Sequence, residues 1–113
     1  MYQAKTIIKA IGRGFSPEKA FRLLKEDEML ETIELNHFSE NKIRIIKSRL
    51  IGTNGKAWRM IENFSGCSLS IYGKTVSIIG NYEQLNIARE AVEMIIRGSK
   101  HSKVYGFLHQ VKL

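Results

Sequence analysis

Apolar residues recur along the chain in two rhythms, and the switches between them outline its elements. Ala4, Ile7, Ile8 and Ile11 fall at helical spacing with Lys5 and Lys9 turned outward, which predicts a helix over 2–11. Gly12-Arg13-Gly14 ends it. Ser16-Pro17-Glu18 then reads as an N-cap, a proline at the first helical position and an acid in the first turn. The helix it opens puts Ala20, Phe21 and Leu24 on one face and gives way near the acidic run Glu26-Asp27-Glu28. Glu31 to Asn36 alternates polar and apolar, the period of a strand buried on one face. Ser39 is placed to cap a helix in which Ile43, Ile46 and Leu50 share a face. That helix is interrupted at Gly52-Thr53-Asn54-Gly55, resumes at Lys56 and runs to about Ser65, where Gly66 stops it. Ser68 to Tyr72 alternates again with Leu69 and Ile71 inward, Gly73-Lys74 is a two-residue hairpin turn, and Thr75 to Ile79 is the returning strand. Gly80 breaks the chain. Asn81 and Gln84 have capping-box spacing for a long helix with the stripe Leu85, Ala88, Val92 and Ile95, closed by Gly98. A short final helix over about 101–110 carries Val104, Tyr105 and Leu108.

The two ends of this pattern match each other. With Ala4 laid on Ala88, Ile11 falls on Ile95, Arg13-Gly14 on Arg97-Gly98, Phe21 on Tyr105 and Leu24 on Leu108, without a gap. A shared Arg-Gly break at one fixed offset argues for a repeat. Residues 1–28 are then expected to be the helical tail of an incomplete upstream copy, followed over 29–113 by one complete unit with an extra C-terminal helix. The chain would be part of a longer protein or a short form of it. Such a tail, separated from its own strands, must dock its apolar face on the remaining unit or on another chain.

Composition changes this picture in one direction. The 113 residues suit one domain, and 43% apolar content is ordinary for a packed core. The net charge of +7 favours polyanionic partners without choosing among RNA, DNA and anionic lipid. No apolar run approaches the roughly 18 residues of a membrane span. The opening residues lack a signal peptide's apolar stretch, and the single cysteine, Cys67, fits a reducing cytoplasm as a small buried hydrophobe.

The charge is concentrated around the two close glycines. From Asn41 to Ile61 there are six cations (Lys42, Arg44, Lys47, Arg49, Lys56, Arg59) and no acid. Glycines at 52 and 55 let a backbone turn sharply and lie close to another, and a helix starting after Gly55 directs free N–H groups at an anion. A nucleotide P-loop is excluded, since it needs four residues between its glycines followed by Lys and Ser or Thr, whereas Ala57 follows Lys56. His37, Cys67, His101 and His109 have no metal-ligand spacing, the acids cluster at 26–34 where a solvated helix end accounts for them, and neither an enzyme nor a cofactor is expected. Lys42 and Arg44 read equally well as solvated helix surface, Trp58 reads as core, and Ile51 as either core or groove.

The order from Ile33 (strand, helix, Gly-x-x-Gly, helix, strand, strand, helix) resembles the KH RNA-binding module of eukaryotic-type topology. The matching residues are Leu50-Ile51-Gly52-Thr53-Asn54-Gly55, Trp58, Ile61, Ser65-Gly66-Cys67, Leu69 and Ile71. The flanks, Ala10 to Ala20, Ile71 to Gly80 and His101 to Leu108, are similar to the archaeal and eukaryotic tandem-KH family that assembles the small ribosomal subunit. The resemblance implies an α+β fold, a type I KH domain (β-α-α-β-β-α) whose three-stranded antiparallel sheet packs on helices, with extra helices at both ends.

It also implies a function. In that family the protein binds the 3′ region of small-subunit ribosomal RNA beside the endonuclease that trims it, and archaeal members are linked to the alpha subunit of initiation factor 2. The KH groove holds about four single-stranded nucleotides. Carried onto this chain, Gly52 and Gly55 admit the RNA backbone, and Thr53 and Asn54 offer N–H groups and side-chain hydrogen bonds. Lys47, Arg49, Lys56 and Arg59 meet phosphates, and Ile51, Leu69 and Ile71 floor the groove with Lys74 at its rim. One departure stands out: the family places a cation between the glycines, and this chain has Thr53-Asn54. Loop affinity then falls to backbone N–H groups and Lys56. The competing expectation is a scaffold that keeps the KH fold to hold the endonuclease or the initiation factor and binds RNA weakly.

Overall fold

The computed structural model describes residues 2–111, with side chains from Ala4 onward. The elements run α1 (Tyr2–Gly12), α2 (Pro17–Ala20) continued by a 3₁₀ turn (Phe21–Leu24), β1 (Met29–Glu34), α3 (Glu40–Ile51), a 3₁₀ turn (Thr53–Gly55), α4 (Lys56–Ser65), β2 (Ser68–Tyr72), β3 (Thr75–Gly80), α5 (Tyr82–Ile96) and α6 (His101–Val111). Among the described residues no helix is long and apolar enough to cross a membrane.

The strands form one antiparallel sheet in the order β1-β3-β2. Central β3 is buried along its whole length because both faces of the sheet are covered. Ile33, Leu69, Ile71, Val76 and Ile78 turn to one face and meet Ile43, Ile46 and Leu50 of α3, Ile61 of α4, Val92 and Ile95 of α5, and Val104 and Leu108 of α6. Ile79, paired with Leu30 across the ladder, turns the other way and meets Ala10, Ala20 and Leu23 of the N-terminal helices and Phe15 of the connection between them. Between the two cores this second face carries hydroxyls: Thr32 and Ser77 sit 3.1 Å apart, and Ser70 donates to the carbonyl of Arg13 at 2.8 Å. The α+β type I arrangement is therefore present as expected, with the extra helices at both ends packed on it.

The capping signals read from the sequence are realised. The side chains of Ser16, Ser39 and Asn81 accept from Lys19, Lys42 and Gln84 backbone N–H groups, and Asn81 with Gln84 completes a capping box. Three expectations fail at the N-terminus. Helix α1 rests on the sheet through Ile7 and buried Ala10, so Ala4, Ile8 and Ile11 face outward, Ile8 at 69% exposure. The second helix tightens to 3₁₀ after one turn, so the eclipsed pair Ala20 and Leu23 is buried while Phe21 and Leu24 point out, at 53% and 57%. The first strand starts at Met29 and ends at Glu34, two residues before the alternating stretch would have it, because its ladder partner β3 runs only from Thr75 to Gly80.

The two Arg-Gly breaks share a backbone geometry. Gly14 N–H donates to Ile11 O and Gly98 N–H to Ile95 O, both at 3.0 Å, and the next residues close the outer bond, Phe15 to Ala10 (3.2 Å) and Ser99 to Met94 (2.9 Å). These are equivalent pairs at the offset that links the two ends of the sequence, and both end a helix in the same way.

One guanidinium joins the N-terminal helices to the rest. Arg22 donates to Glu28 Oε1 (2.8 Å), to Gly66 O (3.0 Å), to Ser68 Oγ (3.1 Å) and to Gln84 Oε1 (3.4 Å). The Glu28 side chain is 7% exposed, so removing its partner strands a nearly buried carboxylate. Arg22→Met is expected to lower stability by about 2 kcal/mol, read from the urea midpoint, and Arg22→Met/Glu28→Gln to recover part of the loss.

Cys67 is buried beside Gly80 and the Ser65 hydroxyl, and burial pushes its thiol up from 9.0 to about 11, against smaller opposing effects of the Ser65 hydrogen bond and the Arg22 charge. A folded-state pKa above the unfolded one means that this thiol's contribution is complete below about pH 8.5 and is lost as pH rises through about 11. The thiol is therefore expected to resist a disulfide reagent such as DTNB at pH 8 in the native protein and to react at once in denaturant. Fast native-state labelling would contradict the burial.

Candidate nucleic-acid interface

The loop between α3 and α4 is built by two glycines with different tasks. Gly52 ends α3, its N–H donating to Ser48 O at 2.9 Å, with φ 75° and ψ 178°. A Cβ there would lie 2.8 Å from both the backbone nitrogen and the Cβ of Ala57, so α4 starts hard against this residue. Gly55 N–H returns to Gly52 O at 3.2 Å. Asn54 and Gly55 are both left-handed (φ 54° and 74°), and among the described residues Asn54 is the sole non-glycine with positive φ. Asparagine tolerates that conformation better than most residues. A Cβ on Gly55 would meet only the flexible end of Arg59, at 3.1 Å.

Helix α4 then begins at Lys56 with no side-chain cap and no acid in its first turn. The Lys56 N–H itself donates to Thr53 O, while the N–H groups that follow and the positive end of the dipole meet no side-chain cap. Thr53 and Asn54 are exposed at the tip, and Ile51 is 43% exposed beside them, which resolves its placement in favour of the surface.

The cations divide into those that reach out and those the fold has engaged. Arg49 is half-buried and donates to Ile95 O at 2.8 Å and to Ser99 O, while its own carbonyl is 2.8 Å from His101 Nε2. It neutralises a C-terminal carbonyl of α5 and one in the connection to α6, where a cation is favoured, and is not presented to a phosphate. Lys47 donates to Gly73 O at 3.0 Å, Arg59 to Asn54 O at 2.7 Å, and the Lys56 ammonium stands 5.3 Å from the Tyr105 ring centroid. Lys56 and Arg59 are exposed, Lys47 is half-buried with its ammonium at the β2–β3 turn, and Lys74 is exposed on that turn. Leu69 must also be reassigned: at 2% exposure it is core, because its face of β2 is covered by the helices, and it floors no groove. Ile71, one pleat on, is half-buried at the edge of the same core. Trp58 packs against that core as expected.

The groove itself lies between α3 and the β2–β3 turn. Glu40, Ile43, Arg44 and Lys47, spaced i, i+3, i+4 and i+7, face Gly73 and Lys74 across a cleft of about 360 Å³. Its far wall is fixed, since Leu35 N–H donates to Lys74 O and Thr75 Oγ1 to Tyr72 O, both at 2.8 Å. Arg44 thus belongs to the cleft rather than to neutral helix surface, and Glu40 joins it. The sequence carried a signal for both in the helical period through Ile43, but nothing in it placed the hairpin turn opposite that face. Among the described residues no group of three or more His, Cys, Asp or Glu is arranged to hold a metal.

Residues 29–113 match a family model described as the eukaryotic-type KH domain (KH-domain type I), in the form of the second such domain of PNO1. The chain is similar to a KH domain-containing protein of Methanocaldococcus jannaschii, 46% identical over 112 residues that span 97% of this chain and 49% of that protein. It is similar to the pre-rRNA-processing protein pno1 of Aspergillus fumigatus, 32% identical over 117 residues spanning 98% and 46%. Among solved structures, Dim2p from Pyrococcus horikoshii superposes with a TM-score of 0.88 at 49% identity, covering 96% of this chain and 64% of that one. A chain of the a/eIF2alpha–aDim2p–rRNA complex from the same organism superposes with a TM-score of 0.93 at 49% identity, covering 98% and 62%. The chain spans about half the length of the curated relatives it matches.

The two loop glycines are expected to differ in stability terms. Gly52→Ala combines a left-handed backbone with a collision against backbone atoms and is expected to cost about 3 kcal/mol, whereas Gly55→Ala, strained but with a movable neighbour, costs about 1. Urea melts of the two variants rank them; a milder Gly52→Ala would mean that the α3–α4 contact is looser than 2.8 Å.

Proposed function

The chain belongs to the eukaryotic-type KH-domain family, and on that premise we propose that it binds single-stranded RNA along the cleft between α3 and the β2–β3 turn. The observation that carries this reading is the uncapped start of α4, set behind two left-handed residues and a tip without acids. The RNA backbone lies on Gly52, Thr53, Asn54 and Gly55, with phosphate oxygens accepting from the N–H groups of α4 that follow Lys56, whose own N–H is taken by Thr53 O. Lys56, Arg59, Lys47 and Lys74 supply charge, the first three by exchanging weak intramolecular contacts for phosphate. Arg49 stays where it is and keeps the base of the loop in place. Ile51 and Ile71 provide apolar surface for about four nucleotides. The chain acts as a binder, not a catalyst.

We place that RNA in the 3′ region of small-subunit ribosomal RNA. A relative named for pre-rRNA processing and a similar chain solved in a complex with rRNA and a/eIF2alpha support this reading. By the same reasoning the initiation factor 2 alpha subunit and a processing endonuclease are the protein partners to test. Residues 1–28 are read as the tail of a preceding copy of the module, which the matching hydrogen bonds at Gly14 and Gly98 support.

A second reading rests on a separate observation. Ile8, Ile11, Phe21 and Leu24 are exposed on the N-terminal helices, across the sheet from the loop. A scaffold would hold a protein there and use RNA only weakly.

Oligoribonucleotides from the 3′ end of small-subunit rRNA should bind the chain in an anisotropy titration, with log K falling by about 0.7 per neutralised phosphate in log salt. Thr53→Asp/Asn54→Asp should weaken binding by about tenfold or more while leaving the melting curve in place. Equal binding by the two folded proteins would remove the loop from the RNA site. Salt-insensitive, weak binding of RNA beside tight binding of a protein partner would favour the scaffold.

A further inference from the structure

The cleft carries a chemical asymmetry that phosphate binding does not use. Helix α3 is basic after its first turn, yet Glu40, its only acid, sits on the same face as Ile43, Arg44 and Lys47 and lines the cleft with them. An acid at this position suits the helix dipole. The dipole does not require it, however, because Ser39 already caps the helix through its 3.1 Å bond from Lys42 N–H. A carboxylate in a groove built for a polyanion repels phosphates and is useful to a donor, either a single ribose 2′-hydroxyl or a base edge, and only a base edge with two adjacent donors fills both of its oxygens.

The geometry points to Glu40 and Arg44 as a guanine-reading pair within this groove, an inference that rests on the RNA-binding reading above. A carboxylate accepts two bonds side by side. Among unpaired bases guanine alone offers two adjacent donors, N1–H and the N2 amino group, while adenine and cytosine offer one amino group and uracil one imide N–H. Arg44 stands one helical turn further on, about 6 Å along the axis, and donates to the acceptors guanine carries at O6 and N7. Ile43, 6% exposed, belongs to the core beneath this face, so the base is read by the two polar side chains. Arg44 is steered by Asn41, whose side-chain oxygen accepts from its guanidinium. The opposite wall, Gly73-Lys74, is tied to the end of β1 by the Leu35 bond.

Anisotropy titrations of the full chain with a short oligouridylate containing one central guanine, inosine or adenine test this. Inosine keeps N1–H, O6 and N7 and lacks only the amino group. The wild type is expected to bind the guanine oligomer about tenfold more tightly than the inosine or adenine one. Glu40→Gln should bring guanine and inosine within about twofold and leave plain oligouridylate as tight or tighter, since a negative charge has gone. Arg44→Ala should weaken guanine and inosine to the same degree. Thermal melts of Glu40→Gln close to wild type separate this from a helix-dipole role, which would not alter the guanine-to-inosine ratio. Equal binding of guanine and inosine by the wild type, or a ratio that survives Glu40→Gln, overturns the pair and leaves the groove standing if Thr53→Asp/Asn54→Asp still weakens binding about tenfold or more. Absence of binding to every oligomer overturns both.

Discussion

Everything in this molecule is arranged around β3. It hydrogen-bonds to a strand on each side and is covered on both faces, so each of its six residues is buried. Consecutive Ile78 and Ile79 are the consequence: one anchors the helical core, the other the N-terminal one. Because both isoleucines are committed, a slip of β3 by one residue would bring Ser77 to the helical core in place of Ile78 and turn Ile79 away from the N-terminal helices, and the pairing register is strongly specified. The β2–β3 turn that walls the cleft is held by that register, which is how a constraint deep in the sheet reaches the surface where RNA is proposed to lie.

A second theme is how the fold spends its positive charge. A +7 chain with an acid-free basic stretch invites the expectation that every cation faces the partner. The structure places Arg49 at the carbonyl end of α5 and Arg22 in a junction of four acceptors, and both are tertiary staples. A guanidinium serves such junctions because its donors lie in a rigid plane and bind several carbonyls at once. Lysines at 47, 56 and 74 remain near the loop and cleft with weak or no partners, as suits a charge that has to move to a phosphate.

The caps, breaks and strand alternation were legible because they are local: Ser39, Asn81 with Gln84, Gly66 and the Gly52–Gly55 loop act within four residues of themselves. Helix faces were less so at the N-terminus. A stripe of Ala4, Ile8 and Ile11 is as good an amphipathic signal as Ile7 and Ala10, and a switch to 3₁₀ geometry after Ala20 exchanges Leu24 for Leu23. Hydropathy records which residues are apolar; it does not record which of two apolar stripes finds a neighbour.

By itself, then, the sequence determined the order of elements, their caps, the left-handed loop and the identity of the family, since backbone preference and periodicity are encoded within short windows. Only the tertiary structure decided that Leu69 is core and Ile51 surface, that Arg49 serves a helix end, and that Glu40 and Arg44 face a turn more than 25 positions away. Those outcomes depend on which surfaces meet when distant segments pack, and packing is a property of the whole chain rather than of any window along it.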